Sequence, residues 1–135
     1  MIDNPAAVEA LGFRPSRSAR VPFTELGIAV RYESQNTVVE LTGELDLETA
    51  PTLTSELDML EKNSRRRLVI DVSALAFCDS SGLGALVRAN RRAAQTGGWV
   101  RICGAAGTIQ TIIGIAGLPS VLRCYGGVAE ALADV

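Results

Sequence analysis

One short segment of the chain carries residue types that can accept a phosphate. The run from Phe77 to Gly84 reads Phe-Cys-Asp-Ser-Ser-Gly-Leu-Gly and stands between an apolar segment and a helical pattern. A helix start has unpaired N–H groups and the positive end of the helix dipole, so an aspartate or serine caps it and a remaining hydroxyl points outwards. That hydroxyl is a good phosphate acceptor. Two interpretations stay open: a phosphorylated loop, or an ordinary N-cap whose glycines allow close helix–sheet packing.

A second polar cluster, Gly43-Glu44-Leu45-Asp46, ends an earlier strand pattern. Taken alone it indicates a turn followed by a helix cap. The position of this cluster after a strand is informative, because parallel strands bring the loops at their carboxyl ends to one edge of the sheet. Ligands and partners tend to bind at that edge. If the sheet is parallel there, we expect Glu44 and Asp46 to lie near Ser80.

The elements that must position these clusters begin near residue 25. Leu26 to Glu33 and Thr37 to Thr42 alternate apolar and polar residues around Ser34-Gln35-Asn36, which is typical of a β-hairpin. Leu68 to Val72 is a nearly continuous apolar run, typical of a strand buried on both faces. Helical and strand patterns alternate from there to the end of the chain.

Four helices and two more strands complete the pattern. The first helix is capped by Asp46 or Thr49, the second starts at Asp79-Ser80-Ser81, and the third ends at Gly117. The further strands are Trp99 to Cys103 and Val121 to Tyr125, and a short helix follows from Val128. The order ββαβαβαβα predicts a single α/β domain with a mixed, mostly parallel sheet. We expect residues 25–135 to form this domain and residues 1–24 to form a flexible N-terminal extension.

Composition excludes several classes of function. A net charge of -2 does not suit a nucleic-acid-binding protein, and the longest apolar stretches are too short for a membrane span. The first residues lack a signal-peptide pattern, so we expect a cytoplasmic protein.

The absence of histidine removes Ser-His-Asp triads, Cys-His dyads and histidine-based metal sites. We expect no cofactor, no metal and no enzyme activity. An enzyme using Glu44, Asp46 and Asp79 as acid–base groups is a competing hypothesis without a metal set or nucleotide loop to support it. Cys78, Cys103 and Cys124 are expected to be small buried residues, since no metal-binding spacing joins them.

The two clusters together resemble a family. Gly-Glu-Leu-Asp before the first helix and Phe-Cys-Asp-Ser-Ser-Gly-Leu-Gly before the second are similar to motifs of STAS domains in bacterial anti-sigma factor antagonists. The Leu-Val-Ile-Asp-Val strand and Gly117-Leu118 also match. The resemblance covers residues 25 to 134, and Asp-Ser-Ser-Gly-Leu-Gly is its most specific part.

The resemblance implies a regulator switched by phosphorylation. It implies binding to an anti-sigma factor that is also a serine kinase of the GHKL ATPase type, phosphorylation of Ser80, and reversal by a PP2C-type phosphatase. Asp79, Ser81 and Gly82 would support the phosphorylation loop. The residues expected to contact the partner are Glu44, Asp46, Leu83 and Gly84.

One alternative keeps the same fold. A STAS interaction module in a transporter or signalling assembly would never be phosphorylated on Ser80. The third helix also departs from the family pattern, since it begins Thr108-Ile109-Gln110-Thr111 where basic residues are common.

Overall fold

The computed structural model describes residues 13–15 and 25–134. The strands are Phe13–Pro15 (β1), Leu26–Glu33 (β2), Asn36–Leu45 (β3), Arg67–Cys78 (β4), Trp99–Cys103 (β5) and Arg123–Tyr125 (β6). The helices are Ala50–Lys62 (α1), Ser80–Ala94 (α2), Gly107–Ile115 (α3) and Val128–Ala133 (α4), with a 3-10 turn at Leu118–Ser120. From residue 25 on, this confirms the predicted α/β fold and the order ββαβαβαβα.

The six strands form one sheet in chain order. The pairs β1–β2 and β2–β3 are antiparallel, whereas β3–β4, β4–β5 and β5–β6 are parallel. The sheet is therefore mixed and mostly parallel in its second half, as predicted. Parallel order brings the carboxyl ends of β3 to β6 to one edge.

The first strand comes from the predicted N-terminal extension. Phe13 pairs with Ala29 and Pro15 with Gly27, so this part of the extension belongs to the sheet. Pairing here covers the free edge of β2, whose backbone groups would otherwise lack strand partners. The rest of the extension, and Val135, lie outside the described residues.

The main core lies on one face of the sheet. Side chains from β2 to β5 point to this face and meet inward-facing residues of α1, α2 and α3, including Leu53, Leu86 and Ile109. The apolar side chains of α1 recur every three or four residues, which gives the helix one buried stripe. This packing fixes α2, and with it the Asp-Ser-Ser segment, against the sheet.

The opposite face carries α4, which is attached through a buried arginine. Arg101 is 6% exposed, and its guanidinium carbon lies 3.6 Å from the centre of the Trp99 ring. Its Nη1 donates to the carbonyl oxygens of Ala131 at 2.7 Å and Asp134 at 2.8 Å. The cation thus satisfies carbonyls that the end of a helix leaves unpaired.

The strand β4 is longer than the apolar run that predicted it. Only Arg67 to Asp71 pair with β5, but β4 continues to Cys78 by pairing with β3 alone. Two register shifts occur along that extra pairing. The extension brings Cys78 next to Leu45, so both sequence clusters start from neighbouring strand ends.

Candidate functional site

The two sequence clusters meet at the carboxyl edge of the sheet. Glu44 pairs with Phe77, and Leu45 pairs with Cys78, in the parallel ladder between β3 and β4. The backbone N–H of Asp79 donates to the carbonyl oxygen of Leu45 at 3.1 Å. The loop after β3 and the start of α2 are therefore hydrogen-bonded neighbours, as the parallel order predicts. We call this region the carboxyl edge, comprising residues 43–49 and 77–84.

Asp79 is the side chain that caps α2. Its backbone is extended, and its Oδ1 accepts a hydrogen bond from the N–H of Gly82 at 3.0 Å. This resolves the choice among Asp79, Ser80 and Ser81 that the sequence left open. A cap at Asp79 makes Ser80 the first residue of the helix.

The two serines are left with unengaged hydroxyls. Ser80 is exposed and Ser81 is half-buried. Within the described ranges 13–15 and 25–134, no hydrogen bond engages either hydroxyl. Ser80 thus combines exposure with a place at the positive end of a helix of 15 residues.

The two glycines of the motif have different surroundings. A methyl group on Gly82 would lie 2.4 Å from Cγ and 2.9 Å from the carbonyl oxygen of Leu45, closer than packed atoms approach. Gly82 therefore permits the contact between α2 and the end of β3, which is the helix–sheet interpretation of the motif. Gly84 is half-exposed, and of the described residues a methyl group there would meet only the flexible side chain of Arg88.

Asp46 organises the loop that leads into α1. Its Oδ1 accepts hydrogen bonds from the backbone N–H groups of Glu48 and Thr49, both at 3.0 Å. The Thr49 hydroxyl accepts from the Asp46 N–H and donates to the Glu44 carbonyl oxygen, each at 2.9 Å. Thr49 is the N-cap residue of α1, but its side chain caps no N–H group of the helix; of the two predicted caps, Asp46 holds the turn that precedes α1.

Apolar side chains stand exposed around these polar groups. Leu47 is 73% exposed in the loop after β3, and Phe77 is 41% exposed at the end of β4. Leu47 was not among the predicted site residues, and no signal in the sequence singles it out, because a lone apolar residue such as this one between Asp46 and Glu48 is common on protein surfaces. Glu44 and Asp46 are half-buried beside them.

Leu83 does not fit the predicted contact with a partner. Its side chain is 4% exposed and packs in the main core with Leu86. It is the first inward-facing side chain of α2, so the surface at the carboxyl edge is formed without it. Gly84, by contrast, lies on the accessible side of the helix.

The cysteines differ in burial. Cys78 is buried, and desolvation followed by the nearby Asp79 charge raises the pKa of its thiol to about 12. Burial, followed by the charges of Asp71 and Glu40, likewise raises the pKa of Cys103 to about 12. These thiols stay protonated and unreactive at neutral pH. Cys124 is exposed, which contradicts the expectation that all three are buried.

The described part of the chain has no cluster of side chains that could bind a metal ion. Across residues 13–15 and 25–134, no three side chains among cysteine, aspartate and glutamate converge as metal ligands. No helix in those same ranges is both long and apolar enough to cross a membrane.

Comparison with known proteins matches the fold to a family. The model of the STAS domain matches residues 28–131. The chain belongs to the STAS domain family. Among curated relatives of this STAS chain, the anti-sigma F factor antagonist of Paenibacillus polymyxa is 26% identical over 99 residues, covering 73% of this chain and 85% of the relative.

Solved STAS structures share the fold. An anti-sigma factor antagonist from Mycobacterium paratuberculosis is 27% identical, with a TM-score of 0.74 over 82% of this chain and 93% of that one. The Bacillus protein SpoIIAA is 19% identical over 78% of this chain in both of its solved forms. The unphosphorylated form has a TM-score of 0.67 over 92% of its chain, and the phosphorylated form 0.61 over 96%. The STAS fold of this chain is thus similar to both forms.

Proposed function

We propose that this STAS protein is an anti-sigma factor antagonist that binds an anti-sigma factor and is switched off by phosphorylation of Ser80. The anti-sigma factor is a serine kinase of the GHKL ATPase type, and a PP2C-type phosphatase restores the unphosphorylated form. The protein acts by binding and has no catalytic role of its own. The names of the relatives from Paenibacillus polymyxa and Mycobacterium paratuberculosis support the antagonist role.

The observation that carries the choice of Ser80 is the cap formed by Asp79. Because Asp79 supplies the acceptor for the Gly82 N–H, the neighbouring hydroxyl is not needed for folding. Ser80 is exposed and follows the cap directly, whereas Ser81 is half-buried. A kinase that approaches this edge therefore meets Ser80 first.

The surroundings of Ser80 favour a change in binding over a change in fold. A phosphate adds a charge of about -1.5 to -2, which the N–H groups of the helix start accommodate without refolding. The same charge falls on the carboxyl edge, to which the carboxylates of Glu44 and Asp46 and the exposed side chains of Leu47 and Phe77 also belong. In a closed interface it would be desolvated beside like charges, which typically costs about 2–5 kcal/mol. We expect affinity for the kinase to fall by about 30-fold or more.

Two exposed apolar side chains, Leu47 and Phe77, are the residues that we expect to stabilise the proposed interface. Leu47 and Phe77 offer area to bury, and the half-buried Glu44 and Asp46 add polar contacts at the rim. We expect Leu47→Ala and Phe77→Ala to weaken binding without preventing phosphate transfer at high kinase concentration.

Phosphorylation of the purified protein tests the proposal directly. The protein is incubated with ATP and an extract of its host organism, and phosphate is located by intact mass and peptide mapping. Ser80→Ala and Ser81→Ala are the matched pair of variants. We expect one phosphate on wild type and Ser81→Ala, and none on Ser80→Ala.

Other results would overturn parts of the proposal. Phosphate on Ser81 alone would keep a switch and reject Ser80. If an extract that contains an active GHKL kinase leaves no phosphate on the protein, the chain is a STAS interaction module without this switch.

A further inference from the structure

Arg88 lies in α2, two helical turns after the proposed phosphorylation site, and no carboxylate of the described residues pairs with it. It is exposed, and within the part of the chain that the structure describes no ion pair holds it. Arg92, one helical turn further along α2, is already paired: it contacts Asp58 at 2.8 Å and Glu61 at 3.5 Å. Arg88 therefore keeps its guanidinium available for another anion.

The guanidinium of Arg88 lies over Gly84. A methyl group on Gly84 would be 3.2 Å from Nη1 and 4.0 Å from Cζ of Arg88, so the side chain runs back along α2 towards its first turn. Side chains in a helix lean towards the N-terminus, and residues three or four apart share a face. Gly84 is four residues after Ser80 and three after Ser81, so the guanidinium lies one turn below the two serines.

We propose that Arg88 is the internal partner of a phosphate on Ser80, reaching it through the space that Gly84 leaves open. The inference rests on the proposed function only in placing the phosphate on Ser80. The guanidinium beside Gly84 is about one helical turn, about 5.4 Å along the axis, from Ser80, and rotation about the side-chain bonds of both residues lets a phosphate and an arginine close that gap. The planar fork of the guanidinium suits two phosphate oxygens.

The pairing also explains why a glycine stands at position 84, inside a helix. Glycine disfavours a helix interior, and Gly82 is required by its contact with Leu45. In the part of the chain that the structure describes, no comparable backbone contact requires Gly84, and a methyl group there would meet only Arg88. Gly84 and Arg88 thus form a unit, in which the missing side chain lets the cation lie near the start of the helix.

The pairing is tested on protein that carries phosphoserine at position 80 by genetic encoding, so that no kinase is needed. The second pKa of the phosphate, about 6 for free phosphoserine, is measured by ³¹P NMR. An arginine beside the dianion lowers this pKa, and we expect Arg88→Gln to raise it by about 0.3 of a unit. Gly84→Ala, which displaces the guanidinium, should raise it in the same direction.

The matched control is Arg91→Gln. Arg91 is exposed on the same helix but one turn further from Ser80, so its removal should leave the phosphate pKa near that of the wild type. Equal values for wild type and Arg88→Gln would overturn the pairing, and so would an equal rise in Arg91→Gln, which would indicate a general effect of charge.

A second readout separates direct pairing from a structural effect. The Nε–H resonance of Arg88 should move as the phosphate titrates, while that of Arg91 stays in place. If the Arg88 Nε–H resonance does not shift as the phosphate titrates, the pairing is also overturned. Neither result bears on whether a host kinase modifies Ser80, so failure of the pairing and failure of the proposed function are distinguishable.

Discussion

The carboxyl edge and the corner that holds α4, formed by Trp99, Arg101 and residues 123–134, use their polar groups in opposite ways. At the corner, Arg101 is buried, and its charge meets two carbonyl oxygens and the face of Trp99. At the carboxyl edge, Asp79 and Asp46 satisfy backbone N–H groups, but the hydroxyl of Ser80 remains exposed. The corner directs its polar groups to the fold, whereas the edge leaves the hydroxyls of Ser80 and Ser81 without a hydrogen-bond partner among the described residues.

This difference separates residues that stabilise the fold from residues that we propose a partner contacts. Substitution of the buried arginine at the corner should lower stability. Substitutions at the edge should lower stability only where a cap or a close contact is lost, and a change at Ser80 should leave stability within about 0.5 kcal/mol of wild type.

The largest loss of stability is expected for Arg101→Ala. It removes two charge-assisted hydrogen bonds and leaves the carbonyl oxygens of Ala131 and Asp134 unpaired, so we expect a loss of about 3 kcal/mol. Urea unfolding followed by circular dichroism measures the loss. Arg123→Ala, which removes an exposed cation of the same corner, is the control and should change little. An unchanged midpoint for Arg101→Ala would show that α4 is held by its apolar side chains alone.

The next effect distinguishes the two glycines of the motif. Gly82→Ala forces a methyl group against Leu45 and should lower the free energy of unfolding by about 1–3 kcal/mol. Gly84→Ala meets only Arg88 and should be neutral or stabilising by up to about 1 kcal/mol. Thermal unfolding of both variants checks the contrast. Equal stabilities would mean that α2 shifts to admit the methyl group at Gly82.

A smaller effect is expected for the helix cap. Asp79→Ala removes the acceptor of the Gly82 N–H and should lower the free energy of unfolding by about 1 kcal/mol. Asp79→Asn retains an acceptor oxygen and should recover most of that stability. Urea midpoints of the three proteins provide the comparison, and a neutral Asp79→Ala would mean that a serine takes over the cap.

The smallest effect concerns acid stability at the corner. Hydrogen bonds from Tyr125, and then from Arg123, hold the pKa of Asp134 below its ordinary value. A lowered pKa means that this contribution is complete above the ordinary aspartate pKa and is lost as the pH falls through the folded value. The melting temperature of wild type should therefore drop slightly more on acidification than that of Asp134→Asn. If the melting temperatures of the two proteins fall in parallel with pH, Asp134 does not contribute to the loss of stability in acid.

The regular parts of the fold could be predicted because hydrophobic periodicity reports them. The alternation of Leu26 to Glu33 and the apolar run of Leu68 to Val72 indicated the strands that the structure contains. The full length of β4 was not predicted, because Ser73 interrupts the apolar run and, among the described strands, the residues after Asp71 pair with β3 alone.

Contacts between distant segments limited the prediction of the site. Proximity of the two clusters followed from parallel order, but three side chains could have capped α2 and the choice of Asp79 depends on the tertiary structure. The contact of Gly82 with Leu45 joins residues far apart in sequence. Arg101 gave no sign of its burial, because arginine is usually exposed.

The most direct test compares binding with and without phosphate on Ser80. Wild type, Ser80→Ala and protein with genetically encoded phosphoserine at position 80 are immobilised and exposed to host extract, and captured proteins are quantified by mass spectrometry. We predict that wild type and Ser80→Ala both capture an ATPase of the GHKL type, and that the phosphoserine protein captures at least about 30-fold less. Equal capture by all three proteins would contradict a switch at Ser80.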